Sequence, residues 1–525
     1  MIYVVGSGPA GVSCAYALVH KGIEVTMLDA GIELEPEARA VVNKMQNSKH
    51  WDDSMLRKIK ERMQASIEKK IVKYIYGSDY PYREVDSHIS VKSNGVSCLP
   101  SFGKGGLSAV WGAAVMPYLG DEIGDWPISI KDLAPHYSAV LKFMRIAASK
   151  DGLSELFPLY TENYQAFRHS RQASLLLKDL NKYKGQLNAE GFVFGSSRLA
   201  VQFDSYKKKP GCIYCGLCLY GCPYGLIYNS AFTLDELKKN KNFHYIKDIV
   251  VKEITESKDG VRVIAQHRLN GKEIIYNGSR VFLGCNVIPT AKIILESMKA
   301  YDKEIIVKDS QLFILPFLRY KGVSDVTQEK LHTLSQIFME IFDKKLDQRS
   351  IHVQFFTHND LYEAILKRKF GLFYSSFKKP LEAFMSRIIR AQVYIHSDSS
   401  PSISMKLKKG SPSRLILDKK ANRHANKLIK SIIKKFYNNK KYFRMVPFTP
   451  LLEILKPGGS NHYGGSFPMR KNPKKFESDV LGRPYGFKRT HIVDASVFPS
   501  IPTQTIAFTV MANAHRIGST YNAKT

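Results

Sequence analysis

Residues 2–11 of the chain read IYVVGSGPAG, four apolar residues that predict a buried strand, followed by the pattern G-x-G-x-x-G. Gly6 permits the tight turn after the strand, and Gly8 lets the backbone approach a pyrophosphate. Gly11 lets the next helix pack closely, so that the N-terminal amides of that helix face the phosphates. The stretch therefore predicts a dinucleotide site at the start of a Rossmann-type domain.

The following residues extend this stretch into a strand–helix–strand unit of about thirty residues, as dinucleotide folds require. The helix opens with Pro9 and Ala10, and the second strand, IEVTMLDAG, ends at Asp29. A carboxylate at that position accepts hydrogen bonds from a ribose hydroxyl. This context disfavours the alternative of an ordinary glycine-rich turn, but it does not separate FAD from NAD.

The composition is that of a globular protein, since 44% of the residues are hydrophobic. A length of 525 residues favours two packed domains. The net charge of +31 attracts polyanions such as nucleic acid, an anionic membrane face or a phosphorylated substrate. Because zinc-finger and RNP-type signatures are absent from the sequence, we expect no nucleic-acid partner.

The predicted first strand begins almost at Met1, which leaves no room for a secretory signal, and the hydrophobic runs are too short or too charged to span a bilayer. We therefore expect a cytoplasmic location, with a peripheral position on the inner face of the membrane as an option.

Three further segments contain glycine-rich or cofactor-like motifs. They are GGLSAVWG (105–112), FLGCNVIPTAKIILES (282–297) and the C-terminal pair NHYGGSFPM (461–469) and HIVDASVFPSIPTQTIAFTVMANAHRIG (491–518). Together, and in this order, they resemble the glucose–methanol–choline (GMC) flavoprotein oxidoreductases. The likeness is weakest over 305–455, where that family's substrate domain varies most.

The resemblance implies FAD as the cofactor, a loop beside the flavin ring at 105–112, and a cofactor contact from the Asp of VDAS. With the first motif, it implies cofactor contacts from Gly6, Gly8, Pro9, Ala10, Gly11, Asp29, Gly105, Gly106, Ser108, Trp111, Gly112, Val250, Gly284, Asp494, Ala495 and Thr505. Some sugar oxidases with a similar loop hold FAD covalently through a His before the Trp. Here that position is Val110, so we expect a non-covalent flavin.

His462 corresponds to the family's catalytic histidine, which lies over the flavin. Oxidation of an alcohol removes a hydroxyl proton while hydride leaves carbon, and a neutral imidazole is the natural base near pH 7. A structural histidine in a glycine-rich turn is the alternative. Many family members place a second catalytic Asn where this chain has Ile501, so Asn461, Thr503 or Gln504 supplies that polar contact, or the contact is absent.

Four of the seven cysteines follow the spacing C-x2-C-x2-C-x3-C-P. They are Cys212, Cys215, Cys218 and Cys222, and bacterial ferredoxins use this spacing for iron–sulfur clusters. A [4Fe-4S] or [3Fe-4S] cluster is the first interpretation. A four-cysteine zinc site and a loop without metal remain alternatives.

These features predict FAD-dependent oxidation of an alcohol, a CH–OH donor, with a sugar or glycan hydroxyl as the substrate class. A cluster beside the flavin favours a dehydrogenase that passes electrons to a quinone or carrier protein. Two alternatives stay open. One is an oxygen-reducing oxidase with a structural cysteine or zinc loop, and the other is a non-catalytic, membrane-associated flavin electron carrier.

The order of motifs predicts an α/β fold: a discontinuous Rossmann-type FAD-binding domain with an α+β substrate domain on an antiparallel sheet. We predict FAD-binding segments at 1–130, 196–304 (with the cysteine loop at 211–225) and 456–525, a cap segment at 131–195 and a substrate-binding domain at 305–455.

Two basic stretches lie in the middle of the chain. Residues 419–444 predict a helix with Leu428, Ile429, Ile432, Ile433 and Phe436 on one face.

Residues 366–390 mix aromatic residues with Lys and Arg, as a segment at a membrane interface does. The aromatic and aliphatic residues concerned are Phe370, Leu372, Phe373, Tyr374 and Phe377. A loop packed on the substrate domain is the alternative interpretation.

Overall fold

The computed structural model describes residues 1–48, 51–66, 73–205, 210–374 and 376–521. Within 366–390, Ser375 and the side chains of Leu366, Lys369 and Leu372 lie outside the described part. The helices of the described part are Pro9–His20, Pro36–Asn47, Asp53–Ser66, Val85–His88, Ile130–Val140, Arg171–Lys182, Lys184–Ala189, Ser230–Leu237, Val287–Ser297, Asp360–Phe370, Lys378–Met385, Arg423–Asn438, Lys440–Phe443 and Ile506–Thr520.

A five-stranded parallel sheet forms the centre of the nucleotide-binding half. Its strands, in spatial order, are Thr490–Ile492, Arg280–Leu283, Ile2–Val5, Val25–Leu28 and Phe243–Ile246. The first, second and last parts of the chain thus contribute to one sheet, which confirms the predicted discontinuous Rossmann-type domain. Apolar side chains fill both faces of the three inner strands, as expected for a parallel sheet covered by helices.

The first and last long helices, Pro9–His20 and Ile506–Thr520, pack tightly against each other. A Cβ atom on Gly518 would lie 2.8 Å from the carbonyl oxygen of Cys14, so glycine is what allows this approach. The C-terminal helix is thereby fixed beside the helix that follows the first glycine motif.

Two smaller sheets flank this centre. An antiparallel sheet of three strands consists of Glu273–Gly278, Val261–His267 and Ile249–Glu256. A five-stranded sheet consists of Tyr463–Gly464, Glu304–Asp309, Ser402–Lys408, Arg414–Lys420 and Val91–Asn94. A short parallel pair joins Ile146–Ala147 to Tyr164–Gln165.

A seven-stranded antiparallel sheet dominates the other half, as the predicted α+β substrate domain requires. Its strands are Met445–Pro447, Leu312–Arg319, Ile388–Tyr394, Ile351–Phe356, Ile337–Ile341 and Phe192–Ser196, with Glu453–Ile454 also paired to Leu312–Arg319.

The helix Arg423–Asn438 lies against one face of this sheet. It buries Leu428, Ile429, Ile432 and Phe436 as predicted, while Ile433 is half-buried.

Residues 392–407, QVYIHSDSSPSISMKL, alternate in polarity like strands of an antiparallel sheet. They contribute to two antiparallel strands, but the strands belong to different sheets. Ile388–Tyr394 lies in the seven-stranded sheet and Ser402–Lys408 in the five-stranded sheet. The turn between them is closed by Ser400, whose Oγ donates to the carbonyl oxygens of Ile395 and His396. This crossover joins the seven-stranded sheet to the five-stranded sheet.

No helix in the described ranges is long and apolar enough to cross a membrane. Two predicted domain boundaries, at 195/196 and 455/456, fall at or next to strands of the seven-stranded sheet, Phe192–Ser196 and Glu453–Ile454. The domain boundaries stay predictions.

Candidate active site

A cavity of about 880 Å³ lies between the carboxyl ends of the parallel strands and one face of the seven-stranded sheet. Most of the residues singled out from the sequence line it. They are Gly6, Gly8, Pro9, Ala10, Asp29, Gly106, Ser108, Trp111, Gly112, Val250, Gly284, Asn461, His462, Asp494, Ala495 and Thr505. Gly11 and Gly105 lie directly behind this lining, and Thr503 lies deeper in the protein.

Two glycines of the first motif and Gly284, from a distant part of the chain, make backbone contact at the floor of the cavity. Gly6 has φ +93°, and a Cβ there would lie 2.8 Å from the carbonyl oxygen of Gly284. A Cβ on Gly11 would lie 1.9 Å from the carbonyl oxygen of Gly6. A side chain is excluded at Gly6 and at Gly11, so the backbone of the turn and the helix N-terminus come close to the cavity, as a pyrophosphate requires.

The second glycine motif closes over the first. A Cβ on Gly106 would lie 3.0 Å from the Cα of Gly8, and the amide of Gly105 donates to the Oγ of Ser7 at 2.9 Å. Ser108 donates to the carbonyl oxygen of Gly105 at 2.6 Å, which closes the short 3-10 turn of this loop. The resulting double loop forms one continuous backbone cradle.

Asp29 lies at the carboxyl end of its strand, at the edge of the cavity. The amide and the hydroxyl of Ser7 donate to its two carboxylate oxygens at 3.1 and 2.6 Å, and the Tyr245 hydroxyl donates at 3.0 Å. Burial raises the pKa of Asp29, and these hydrogen bonds oppose that shift. With Val250 beside it, the carboxylate can accept from a ribose hydroxyl, as its place in the sequence predicts.

The two C-terminal motifs lie side by side. The amides of Phe467 and Met469 donate to the carbonyl oxygens of Ser496 and Val497. The carboxylate of Asp494 accepts from the Thr290 hydroxyl at 2.5 Å and caps the following turn through the Ser496 amide at 2.9 Å.

Thr505, at the start of the last helix, also lines the cavity. Its hydroxyl is buried and has no hydrogen-bond partner among the described residues. The Thr505 hydroxyl is therefore available for a hydrogen bond to a ligand in the cavity.

The turn that carries His462 is held firmly in place. Asn461 lies in the left-handed region with φ +58°, which asparagine tolerates better than most residues. The Ser460 hydroxyl accepts from the His462 amide at 2.9 Å and donates to Asp309 at 2.9 Å. The carbonyl oxygen of His462 accepts from the Ser310 amide at 2.9 Å. Burial raises the pKa of Asp309 to about 7.

The His462 imidazole faces the cavity and stacks on Tyr394, with ring centroids 4.7 Å apart and planes 18° apart. Burial lowers the pKa of His462 to about 3, with a smaller contribution from His352. The Nδ1 atom is buried and has no hydrogen-bond partner among the described residues. The site therefore presents a neutral imidazole at neutral pH, which is the form that can accept a proton.

The seven-stranded sheet lines the cavity with polar side chains that sequence reasoning missed. Tyr394, Gln392 and Arg390 alternate along one strand, and Gln354 faces them from the next. The alternation of polar and apolar residues in RAQVY and HVQFF was the available signal, but it does not say which face meets the cavity.

Next to Tyr394, on the two neighbouring strands, lies a buried histidine–glutamate pair, His352 and Glu340. Tyr394 is paired in register with His352, and His352 with Glu340. The Nδ1 of His352 and a carboxylate oxygen of Glu340 are 2.5 Å apart, and both side chains are fully buried. Gln354 bonds to the other nitrogen of His352 at 3.1 Å and connects this pair to the cavity.

The residues near the missing second catalytic Asn do not reach the cavity. Ile501 is fully buried, and its amide donates to the Ser397 hydroxyl. Thr503 and Gln504 are fully buried and bonded to each other and to Ser350, and Gln504 also donates to Glu340 at 3.1 Å. Of the three proposed substitutes, only Asn461 lines the cavity, so a catalytic part for Thr503 stays a prediction.

The cysteine loop folds back on itself beside the cavity. Gly216 and Gly221 have positive φ values of +77° and +114°, and the ring of Tyr76 occupies the space where a Gly221 Cβ would lie. The Tyr76 hydroxyl donates to the carbonyl oxygen of Cys222 at 2.8 Å. These turns bring the cysteines of one loop near one another.

The four thiols are half-buried neighbours. Burial raises the pKa of Cys212 to about 11 and those of Cys215 and Cys222 to about 12, and the charge of Cys218 adds to each shift. Even so, the described residues contain no group of three or more His, Cys, Asp or Glu side chains arranged to hold a metal ion.

Two residues connect the loop to the cavity. Leu219, next to Cys218, is part of the lining. The ammonium of Lys73 also lies there and donates to the carbonyl oxygen of Trp111 at 3.3 Å. Burial lowers the pKa of Lys73 to about 8, while Cys218 opposes that shift. Neither residue carries a sequence signal of its own.

Comparison with known proteins agrees with this architecture. Residues 4–34 match the family model of the NAD(P)-binding Rossmann-like domain. A search of curated proteins finds no significant match.

Among solved structures, pyridoxine 4-oxidase from Mesorbium loti is similar over 99% of this chain and 98% of its own, with 13% identity and a TM-score of 0.61. A variant of Aspergillus oryzae RIB40 formate oxidase, studied for FAD modification, covers 98% of this chain and 97% of its own, with 12% identity and a TM-score of 0.62. A second formate oxidase structure has a TM-score of 0.58 over 98% and 97% of the two chains, at 12% identity.

These neighbours share the fold of nearly the whole chain, which confirms the predicted fold class. At these identities the likeness concerns the fold alone.

Proposed function

We propose that the protein is an FAD-dependent oxidoreductase that oxidises the CH–OH group of an alcohol. The observation that carries the proposal is a neutral imidazole, His462, facing a backbone cradle of glycines across one cavity. FAD fits the residues present. The glycine cradle suits its pyrophosphate, Asp29 suits its ribose, and the unpaired Thr505 hydroxyl offers a hydrogen bond.

Bound FAD would supply a two-electron acceptor for the hydride that leaves the alcohol carbon. His462 would accept the hydroxyl proton, since its imidazole is uncharged at neutral pH. Tyr394 holds the imidazole plane by stacking, and the Ser460–Asp309 pair holds its backbone. The flavin would be bound non-covalently, because Val110 stands where a covalent His would be needed.

A sugar or glycan hydroxyl is the substrate class we propose. Gln354, Gln392 and Arg390 present amide and guanidinium groups to the cavity, and such groups bond to several hydroxyls or to a phosphate at once. The high positive charge of the chain favours a substrate that carries phosphate.

For the electron acceptor we propose a quinone or carrier protein, and therefore a dehydrogenase. The cysteine spacing supports an iron–sulfur cluster, and Leu219 and Lys73 place the cysteine loop beside the cavity. As arranged, the four side chains do not form a metal-binding group, so no step is assigned to a cluster. The structural neighbours are oxidases, which makes oxygen the competing acceptor.

Anaerobic titration of the purified flavoprotein tests the central proposal. Addition of the right alcohol should bleach the flavin absorbance, and His462→Gln should bind flavin normally but bleach on the order of 10²–10⁴ times more slowly. Folded protein that does not bind FAD, or a panel of sugars, glycans and simple alcohols that never bleaches it, would contradict the proposal. Reoxidation by oxygen or by a quinone then separates oxidase from dehydrogenase.

The cysteine loop needs its own measurement. Iron, zinc and acid-labile sulfide are determined on protein prepared without oxygen, for the wild type and for Cys215→Ser, with Cys14→Ser as the control outside the loop. Iron and sulfide that disappear only in Cys215→Ser would establish the cluster. Zinc with the same behaviour, or no metal in any sample, would remove the cluster and leave oxygen as the favoured acceptor.

A further inference from the structure

The segment Asp360–Met385 carries large apolar side chains that face solvent. Phe373 is 70% exposed and Phe377 is 48% exposed, and Ile365 is also exposed. Phenylalanine side chains are rarely left in water to this extent without a partner. Phe373 lies in the short 3-10 helix Gly371–Tyr374 and Phe377 directly precedes the helix Lys378–Met385. The exposure of both rings indicates a surface that something else covers.

A second chain segment extends the same surface. Leu451 and Ile454 are exposed, and Phe448 just before them packs against Phe384 with ring centroids 5.9 Å apart. We call the surface formed by Ile365, Phe373, Phe377, Leu451 and Ile454 the aromatic–basic patch.

The patch adjoins the wall of the central cavity through three stretches of chain. Phe356, Arg390 and Leu455 are half-buried residues of that wall. Phe356 lies four residues before the segment Asp360–Met385, Arg390 lies five residues after it, and Leu455 directly follows Ile454.

The segment is also fixed to the cysteine loop. The Asp360 carboxylate accepts from the Tyr220 hydroxyl at 3.0 Å and pairs with Lys60 at 2.6 Å. The patch therefore lies beside both the cavity wall and the loop.

The charges around the patch select one class of partner. Residues 360–390 contain seven Lys or Arg residues and three acids, in a chain of net charge +31. Lys378 and Lys379 are exposed next to Phe377. Exposed aromatic rings flanked by cations match the interface of an anionic bilayer, where rings enter the headgroup region and cations meet phosphates.

We propose that the aromatic–basic patch docks the protein on an anionic lipid bilayer, with the central cavity next to the membrane surface. The described helices do not span a membrane, so docking is peripheral and reversible. This places the site where a lipid-borne alcohol or a membrane quinone can reach it. The docking itself does not rest on the proposed reaction.

Vesicle flotation of the flavin-loaded protein tests the proposal. The wild type should float with vesicles that contain phosphatidylglycerol and stay behind with pure phosphatidylcholine, and salt should weaken the binding. The double variant F373S/F377S should bind about tenfold more weakly, because the apolar anchors are gone. The matched control is Leu269→Ser, since Leu269 is 67% exposed on a hairpin away from the patch, and it should bind like the wild type.

Two charge-reversal variants distinguish binding through the patch from attraction by the overall positive charge of the protein. The variant K378E/K379E should lose about tenfold in binding, whereas K474E/K475E, two adjacent exposed lysines elsewhere, should lose much less. Equal losses in both variants would overturn the patch, as would full binding by F373S/F377S.

Light scattering of the free protein tests the main alternative, in which a second copy of the chain covers the patch. A wild-type dimer that F373S/F377S converts to monomer, with no vesicle binding, would assign the surface to a second copy of the chain and overturn the proposal. Flavin content and circular dichroism are expected to be unchanged in all variants, because the substituted side chains face solvent. A failure of alcohol oxidation would leave these binding results intact, so the two proposals fail separately.

Discussion

The two walls of the cavity are built in opposite ways. At the centre of the wall from the parallel sheet, the backbones of Gly6, Gly11 and Gly284 are in contact and leave no room for a Cβ on Gly6 or Gly11. The wall from the antiparallel sheet offers side chains alone, with Tyr394 as its centre and His462 stacked on it. The first wall suits a cofactor that does not change. The second wall can change its side chains, and so its substrate, without disturbing the backbone.

This difference separates binding from chemistry. A change on the glycine wall should act on folding or on flavin affinity, because a Cβ there either meets backbone atoms, as at Gly11, or enters the cavity, as at Gly8. A change on the side-chain wall should act on rate and spare both. The following substitutions test that division.

Gly11→Ala should have the largest effect. Its Cβ would lie 1.9 Å from the carbonyl oxygen of Gly6, so the first helix must move away from the strand. We expect a loss of at least about 3 kcal/mol in the free energy of unfolding, together with loss of flavin. Urea denaturation with flavin fluorescence measures both. Gly185→Ala, with no heavy atom within 4 Å of its Cβ, is the control and should unfold like the wild type.

His462→Gln should lower the rate of flavin reduction on the order of 10²–10⁴-fold at unchanged flavin affinity, because a general base is lost. Stopped-flow reduction measures the rate, and flavin titration measures the affinity. The matched control is His491→Gln, since His491 is buried in the parallel sheet outside the cavity lining. Equal rates for the two variants would show that His462 has no catalytic part.

Gly8→Ala should weaken flavin binding on the order of 10²-fold while the apoprotein folds normally. The nearest atoms to its Cβ are 3.9 Å away, so the protein tolerates the methyl group, but the group enters the cavity at the predicted pyrophosphate site. Apoprotein stability and the flavin dissociation constant are the two measurements. A stable variant that binds flavin like the wild type would place the pyrophosphate elsewhere.

Acid should destabilise the protein below neutral pH. Burial lowers the pKa of His491 to about 4 and that of His462 to about 3, whereas both titrate near 6.5 in the unfolded chain. Between pH 6.5 and 4 the unfolded chain therefore binds more protons, so stability is full above pH 6.5 and falls as pH drops. Each group contributes about 1.4 kcal/mol per pH unit in that window. Denaturation at pH 7, 6 and 5 should show a shallower slope for His491→Gln.

Tyr394→Leu should have the smallest effect, about a tenfold loss in the rate of flavin reduction. The His462 ring would lose its stacking partner and its fixed plane, while the backbone of the turn stays bonded to Ser460 and Ser310. Tyr394→Phe keeps the ring and should retain most of the rate. A leucine variant with full activity would mean that the turn alone positions the imidazole.

Much of the glycine wall was predictable from the sequence, because its constraints are local. A glycine with positive φ, an apolar strand and an acidic strand end each leave a mark within a few residues, as at Gly6 and Asp29. The side-chain wall was largely missed. Gln354 and Arg390 lie on strands whose alternation is visible, but the partner strands and the buried face are set by long-range pairing.

The sequence by itself determined the Rossmann-type start, the discontinuous return of the C-terminal motifs, and the amphipathic helix Arg423–Asn438. Only the tertiary structure decided that Tyr394 meets His462, that Glu340 and His352 are buried together behind them, and that Thr503 lies away from the cavity. The reason is physical. Backbone conformation is fixed by neighbours along the chain, whereas contacts between side chains depend on which strands and sheets pack against one another across distant parts of the sequence.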